Sequence, residues 1–157
     1  FLCMSNNSPL EIKASLTIQR QAKDVFEAIT DPAKMTNYFI SKSTGIMKEG
    51  KTIHWSFPEM EMYFRIRIGK IIPPEYISNY WNDIDGSETL VEINLFPKPS
   101  GTFVSITEKS RINDEAGINW LRRNTEGWAN LLACLKAWLE YKINLHKGAF
   151  DPSQMPV

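Results

Sequence analysis

Between Gly45 and Glu108 the chain alternates apolar and polar residues in one short run after another, and no connection in that stretch has room for a crossover helix. Ile53, Trp55 and Phe57 alternate with His54 and Ser56. Met62, Phe64, Ile66 and Ile68 alternate with Tyr63, Arg65 and Arg67, and Ile77, Asn79 and Trp81 with Ser78 and Tyr80. Val91, Ile93 and Leu95 follow, then Thr102, Val104, Ile106 and Glu108 on one face. Alternation at period two marks a half-buried strand. Strands joined by short turns pair antiparallel, because a parallel pair needs a connection of a dozen or more residues. Pro73-Pro74, Asp85-Gly86 and the stretch from Pro97 to Gly101 supply the turns of a meander.

Other segments frame this sheet. From Leu10 to Arg20, residues Ile12, Ala14, Leu16 and Ile18 share the apolar face of a further strand. Val25, Phe26 and Ile29 then fall at helical spacing, and that segment halts at Thr30-Asp31-Pro32. There Asp31 is placed to cap a second short helix, with Pro32 in its first turn, running through Met35 to about Phe39. After a polar loop, Asn113 to Gly117, the helical period returns and holds to about Asn144. Trp128, Leu131, Leu132, Leu135, Trp138 and Leu139 form one stripe, with Ala133, Lys136, Ala137 and Glu140 opposite.

A single antiparallel sheet has an apolar face that must be covered. The last helix is the only element long enough, at roughly 1.5 Å per residue over roughly 25 residues. The predicted fold is therefore α+β. It is a helix grip, a curved antiparallel sheet of about six or seven strands with two short helices and a long C-terminal helix. Residues 1–9 read as a leader, 10–147 as one domain and 148–157 as a tail. A straight helix against a curved sheet leaves space at its flanks, lined here by Trp, Phe and Ile, which is the usual character of a ligand pocket.

Charge and composition narrow the function classes. Eighteen basic and 18 acidic residues cancel, and the longest basic cluster is the pair Arg122–Arg123. Nucleic-acid binding needs a positive face to displace counterions, so that class is set aside. No run approaches the roughly 18 apolar residues of a membrane span. Cys3 and Cys134 have no evident reason to pair, which points to a reducing, cytoplasmic setting. Met4 is the expected start, with Phe1 to Cys3 an extension. A chain of 157 residues needs neither metal nor disulfide to build a core.

No metal site and no cofactor is expected. The histidines are His54 and His146, neither with a ligand-spaced partner. His54 reads as a solvent-facing strand residue, and His146 as a helix C-terminal residue suited to the macrodipole. There is no nucleophile elbow and no glycine-rich phosphate loop. Cys134, at the margin of the apolar stripe, reads as a buried, unreactive thiol. Arg65 and Arg67 point outward, unless a one-residue bulge swaps them inward.

Glu108 shares the inward face of Val104 and Ile106, so its carboxyl must be paired, protonated or near a pocket mouth. Two readings stand: the strand end splays and Glu108 is solvated, or it anchors a ligand or moves a proton. Asn79, between Ile77 and Trp81, poses the same question. The aromatic residues Trp55, Phe57, Phe64, Trp81, Trp128 and Trp138 fill a core individually, while some subset of them lines a pocket.

Three stretches carry a resemblance. Ala22 to Phe39 (AKDVFEAITDPAKMTNYF), Gly69 to Trp81 (GKIIPPEYISNYW) and Gly127 to Glu140 (GWANLLACLKAWLE) resemble, in order and spacing, the START-like superfamily, also called the polyketide cyclase or Bet v 1-like fold. Within it they are most similar to the family named after the C-terminal domain of the activator of the Hsp90 ATPase. Two departures, Tyr38 where the family usually has Trp and a lone Gly50 where a glycine pair is common, are expected to alter the pocket mouth. The function expected of the space between sheet and helix is to bind a small hydrophobic or aromatic molecule without covalent chemistry. Its expected lining is Trp55, Phe57, Phe64, Asn79, Trp81, Ile93, Val104, Ile106, Glu108, Trp128, Leu131, Leu132 and Leu135. The resemblance implies two alternatives: a cyclase, dehydratase or hydrolase using Glu108 as acid or base, and a chaperone-associated module. A protein partner or a homodimer fits the last, although the chain shows no second domain of the kind activator proteins carry.

Overall fold

The computed structural model describes residues 8–83 and 86–150. The alternating runs form seven strands: β1 (Leu10–Ile18), β2 (Lys42–Ser43), β3 (Thr52–Ser56), β4 (Tyr63–Ile72), β5 (Tyr76–Asn82), β6 (Glu88–Lys98) and β7 (Gly101–Arg111). Helices α1 (Ala22–Thr30) and α2 (Pro32–Met35) follow β1, and α3 (Glu115–Tyr141) closes the order. The strands make one open sheet, β1-β7-β6-β5-β4-β3-β2, every pair antiparallel. The meander runs from β2 to β7, and β1 joins it at the far edge beside β7.

Paired positions put Ile12, Ala14, Ile77, Val91, Ile93, Val104 and Ile106 on the inner face, all buried. Helix α3 covers them with Trp120, Trp128, Leu131, Leu132, Leu135 and Leu139, also buried. It packs most closely along β1. Its C-terminal turn is tied there by Lys136 Nζ donating to the Thr17 carbonyl and Gln19 N–H donating to Glu140 Oε2. Glu140, assigned by sequence to the polar face, thus has a side chain only 3% exposed.

Several boundaries differ from the sequence expectation for local reasons. β2 is two residues long, too short to show any alternation. α2 ends at Met35, and the turn beyond it buries Tyr38 completely. The Tyr38 hydroxyl donates to the Ala28 carbonyl at 2.7 Å, so this residue belongs to the core and not to a pocket mouth. Burial pushes its phenol far above the ordinary range. α3 starts at Glu115, inside the expected loop, because Asp114 caps it by accepting from Gly117 N–H at 2.7 Å. Glycine is required at 117: a Cβ there would lie 2.0 Å from the Ile112 carbonyl oxygen. The helix stops at Tyr141, short of Asn144, where Lys142 takes a left-handed conformation (φ 57°).

A bulge does occur in β4, but after the arginines. Gly69 and Lys70 sit opposite Ser78, between the pairs Ile68–Asn79 and Ile71–Ile77. A Cβ on residue 69 would lie 2.5 Å from Ser78 Oγ, so the buried serine occupies the space a side chain would need. Arg65 and Arg67 keep their outward parity, and the Arg67 guanidinium lies 3.9 Å from the Tyr80 ring centre and bonds Glu88 at 2.8 Å. Cys3, Met4 and Asp85 lie outside the described residues.

Candidate functional site

Glu108 does not splay into solvent; it is fully buried. Its Oε1 accepts from Trp128 Nε1 at 2.6 Å and from Asn124 Nδ2 at 3.1 Å. Its Oε2 accepts from Thr89 Oγ1 at 2.6 Å, from Trp120 Nε1 at 3.3 Å and from Asn124 Nδ2 at 3.3 Å. A carboxyl group offers about four lone-pair sites, so the protein's own donors engage both oxygens. No Lys or Arg among the described residues lies within ion-pair distance. The donors come from β6 and from three positions of α3, making Glu108 the polar clamp between sheet and helix.

Trp120 and Asn124 escaped the sequence reading. The signal was present: they precede Trp128 by eight and four residues, on the same helical stripe. An inward Glu facing an inward Trp and Asn is a pair that burial demands.

From Trp128 an aromatic wall runs across the inner face. Trp81 meets Trp128 edge-on at 6.2 Å between ring centres, and Trp55 at 6.1 Å. Phe64 stacks on Trp81 at 5.3 Å and 17°. Phe57 meets Phe64 at 5.4 Å, and Phe39 meets Phe57 at 5.3 Å. Strand register builds this, since Trp55 pairs with Phe64 and Trp81 with Ile66 across β3, β4 and β5. Aromatic contacts of this kind are worth about 0.5–1.5 kcal/mol each beyond their burial.

The predicted lining therefore divides. Ile93, Val104, Ile106, Leu131, Leu132 and Leu135 are sealed in the core. Trp55 and Trp128 are buried, whereas Phe57, Phe64 and Trp81 are half-buried, on the half of the sheet farther from β1. Asn79 is 2% exposed, and its Oδ1 has no hydrogen-bond partner.

A groove of about 780 Å³ opens at the far end of the wall, where Phe39 lines it, and not beneath the Trp128–Leu135 stretch of α3. His146 lies in its wall. It stands beyond the end of α3 and pairs with Glu59 at 3.0 Å, so it does not serve the helix dipole as the sequence implied. Cys134 is buried, and burial pushes its thiol up. Among the described residues no cluster of three His, Cys, Asp or Glu side chains is placed to hold a metal ion, and no helix is long and apolar enough to cross a membrane.

The family model described as activator of Hsp90 ATPase homolog 1-like protein matches residues 19–140. No curated protein matches the sequence. Among solved structures, the protein SSP2350 from Staphylococcus saprophyticus is 27% identical, with a TM-score of 0.76 over 87% of this chain and 96% of that one. The Aha1 dimer from Colwellia psychrerythraea is 19% identical, with a TM-score of 0.73 over 84% and 97%. CalU16 from Micromonospora echinospora is 16% identical, with a TM-score of 0.67 over 90% and 89%. The last two likenesses bear on the fold alone.

Proposed function

The chain belongs to the activator of Hsp90 ATPase homolog 1-like family, and from that premise we propose that it holds a small aromatic molecule against the inner face of β3, β4 and β5. The observation that carries this reading is Asn79. Its Oδ1 is shut away from water with no donor to meet it, one inward strand position from Trp81, whose stacked pair with Phe64 offers a face to a flat guest. Leaving such a group unpaired costs about 1–3 kcal/mol. A guest with a hydroxyl or N–H group would recover that cost while its ring lay against Phe64 and Trp81. The half-buried state of Phe57, Phe64 and Trp81 supports an approach from that side. The acid–base alternative has less to draw on, because both oxygens of Glu108 already accept from the protein.

Titration with hydroxylated aromatics of the flavonoid and polyketide kind, followed by tryptophan fluorescence and melting temperature, tests the proposal. Binding should quench the indoles and raise the melting point by mass action. Asn79→Leu should make the free protein more stable by about 1 kcal/mol or more and weaken such ligands about threefold to tenfold. If Asn79→Leu binds as tightly as the parent, or no compound of this class quenches the indoles, the reading is lost.

A further inference from the structure

The groove at the end of the aromatic wall is built by three connections on a rigid frame: the turn after α2, the β3–β4 turn and the segment after α3. Its volume of about 780 Å³ falls in the range of roughly 300–1,000 Å³ typical of small-molecule sites. His146, 6% exposed, lies between two rings, with Phe39 at 5.3 Å and 69° and Phe150 at 5.2 Å and 50°. Its Nε2 stands 3.0 Å from Glu59 Oε2. A carboxylate oxygen accepts there, so Nε2 carries the hydrogen, and in that tautomer Nδ1 is an acceptor. That Nδ1 is buried and has no partner.

We propose that this groove is a second binding site, for a flat aromatic molecule bearing a hydroxyl group. The hydroxyl donates to His146 Nδ1 while the ring lies against Phe39 and Phe150. Ile40 and Met60 supply apolar lining. Among the described residues Glu59 and Glu61 both line the groove, with Lys147 the one lysine or arginine beside them, so a neutral donor is favoured there over an anion. Glu59 also fixes the imidazole tautomer and strengthens Nδ1 as an acceptor, the part a carboxylate plays behind a metal-bound histidine. This site goes beyond the guest proposed for β3, β4 and β5, and neither depends on the other.

Naphthol, naphthalene and naphthoate, titrated against isotope-labelled full-length protein by NMR, separate the possibilities. Naphthol should shift the amides of Phe39, Ile40, Met60 and His146, and bind about threefold to tenfold more tightly than either analogue. Read at the amides of Phe39, Ile40 and Met60 alone, which line the groove, His146→Phe should erase that preference. Should His146→Phe fail to fold, the ring nitrogens of the parent decide. They should report hydrogen on Nε2 and none on Nδ1, with the Nδ1 resonance moving when naphthol is added. Equal binding of all three probes, tighter binding of naphthoate, or an Nδ1–H or doubly protonated ring overturns the proposal. So do naphthol shifts confined to the surroundings of Trp81 and Asn79, a result that would favour the wall and not the groove.

Discussion

Glu108 accepts from Thr89, Trp120, Asn124 and Trp128 at once, and that convergence governs what its replacement does. In Glu108→Gln one oxygen becomes an NH₂ group. Turned one way it faces the indole N–H of Trp128, turned the other it faces the indole N–H of Trp120, and an indole nitrogen can only donate. A buried donor is left unsatisfied in either orientation, at about 1–3 kcal/mol. Urea unfolding of Glu108→Gln should show a loss of that size. A purely catalytic carboxyl would leave the unfolding curve unmoved and change only turnover. Asn79 is the opposite case: its Oδ1 has nothing to lose, so an apolar replacement there gains stability where one at Glu108 forfeits it. Both residues sit on inward strand positions of the same sheet, and the partners alone set the sign.

Strand β7 carries a local irregularity next to that clamp. β1 pairs Leu10 with Arg111 and Glu11 with Lys109, so Ser110 is the extra residue of a bulge, held at φ 98°. A non-glycine residue in so sparsely populated a region costs roughly 1–3 kcal/mol, while glycine loses roughly 0.5–1 kcal/mol of chain entropy on folding. Ser110→Gly should therefore stabilise by about 1 kcal/mol, read as a higher urea midpoint with an unchanged slope. The bulge itself was not legible in the sequence, because nothing in Lys109-Ser110-Arg111 departs from what a regular strand tolerates. Apart from the two-residue β2, strand existence and parity were legible, since alternation over several residues has one reading: Trp55, Phe64, Trp81 and Glu108 all face inward as expected. Ends were less so. Asp114 was hidden as a cap because it sits in a run of polar residues that reads equally well as loop. The groove was not legible either, because Phe39, Glu59 and His146 come from three connections with no common period, and only the folded chain brings them together. The same holds for Glu140, placed on the polar face by helical spacing, whose burial depends on Lys136 and the N–H of Gln19.

With formal charge balanced at neutral pH, local carboxyl and phenol environments shape how the molecule responds to pH. Burial pushes Glu140 up, but the hydrogen bonds from Lys136 and Gln19 N–H, with the charges of Lys136 and Arg20, outweigh it and hold the carboxyl below its usual 4.5. Hydrogen bonds from Tyr76 and Lys109 hold Glu92 below 4.5 as well. For a depressed carboxyl the unfolded chain takes up the proton first, so protonation favours unfolding. Stability is fully present above the ordinary value and is lost as pH falls through it. Tyr38 works in the other direction. Burial raises its phenol above 10.0, the unfolded chain ionises first, and stability is lost as pH rises past that value. Urea midpoints measured across pH should thus form a plateau with an acid limb beginning near 4.5 and an alkaline limb beginning near 10.0. Glu140→Gln should lower the plateau and flatten part of the acid limb, leaving the alkaline limb alone. Tyr38→Phe should flatten the alkaline limb and leave the acid limb alone, with the plateau lowered by loss of the hydroxyl's bond to the Ala28 carbonyl, and the ultraviolet signature of phenolate should show Tyr38 ionising together with unfolding. If Tyr38 instead titrates in the folded protein, or Glu140→Gln leaves the acid limb as steep as before, the two buried groups do not couple folding to pH in the way their surroundings require.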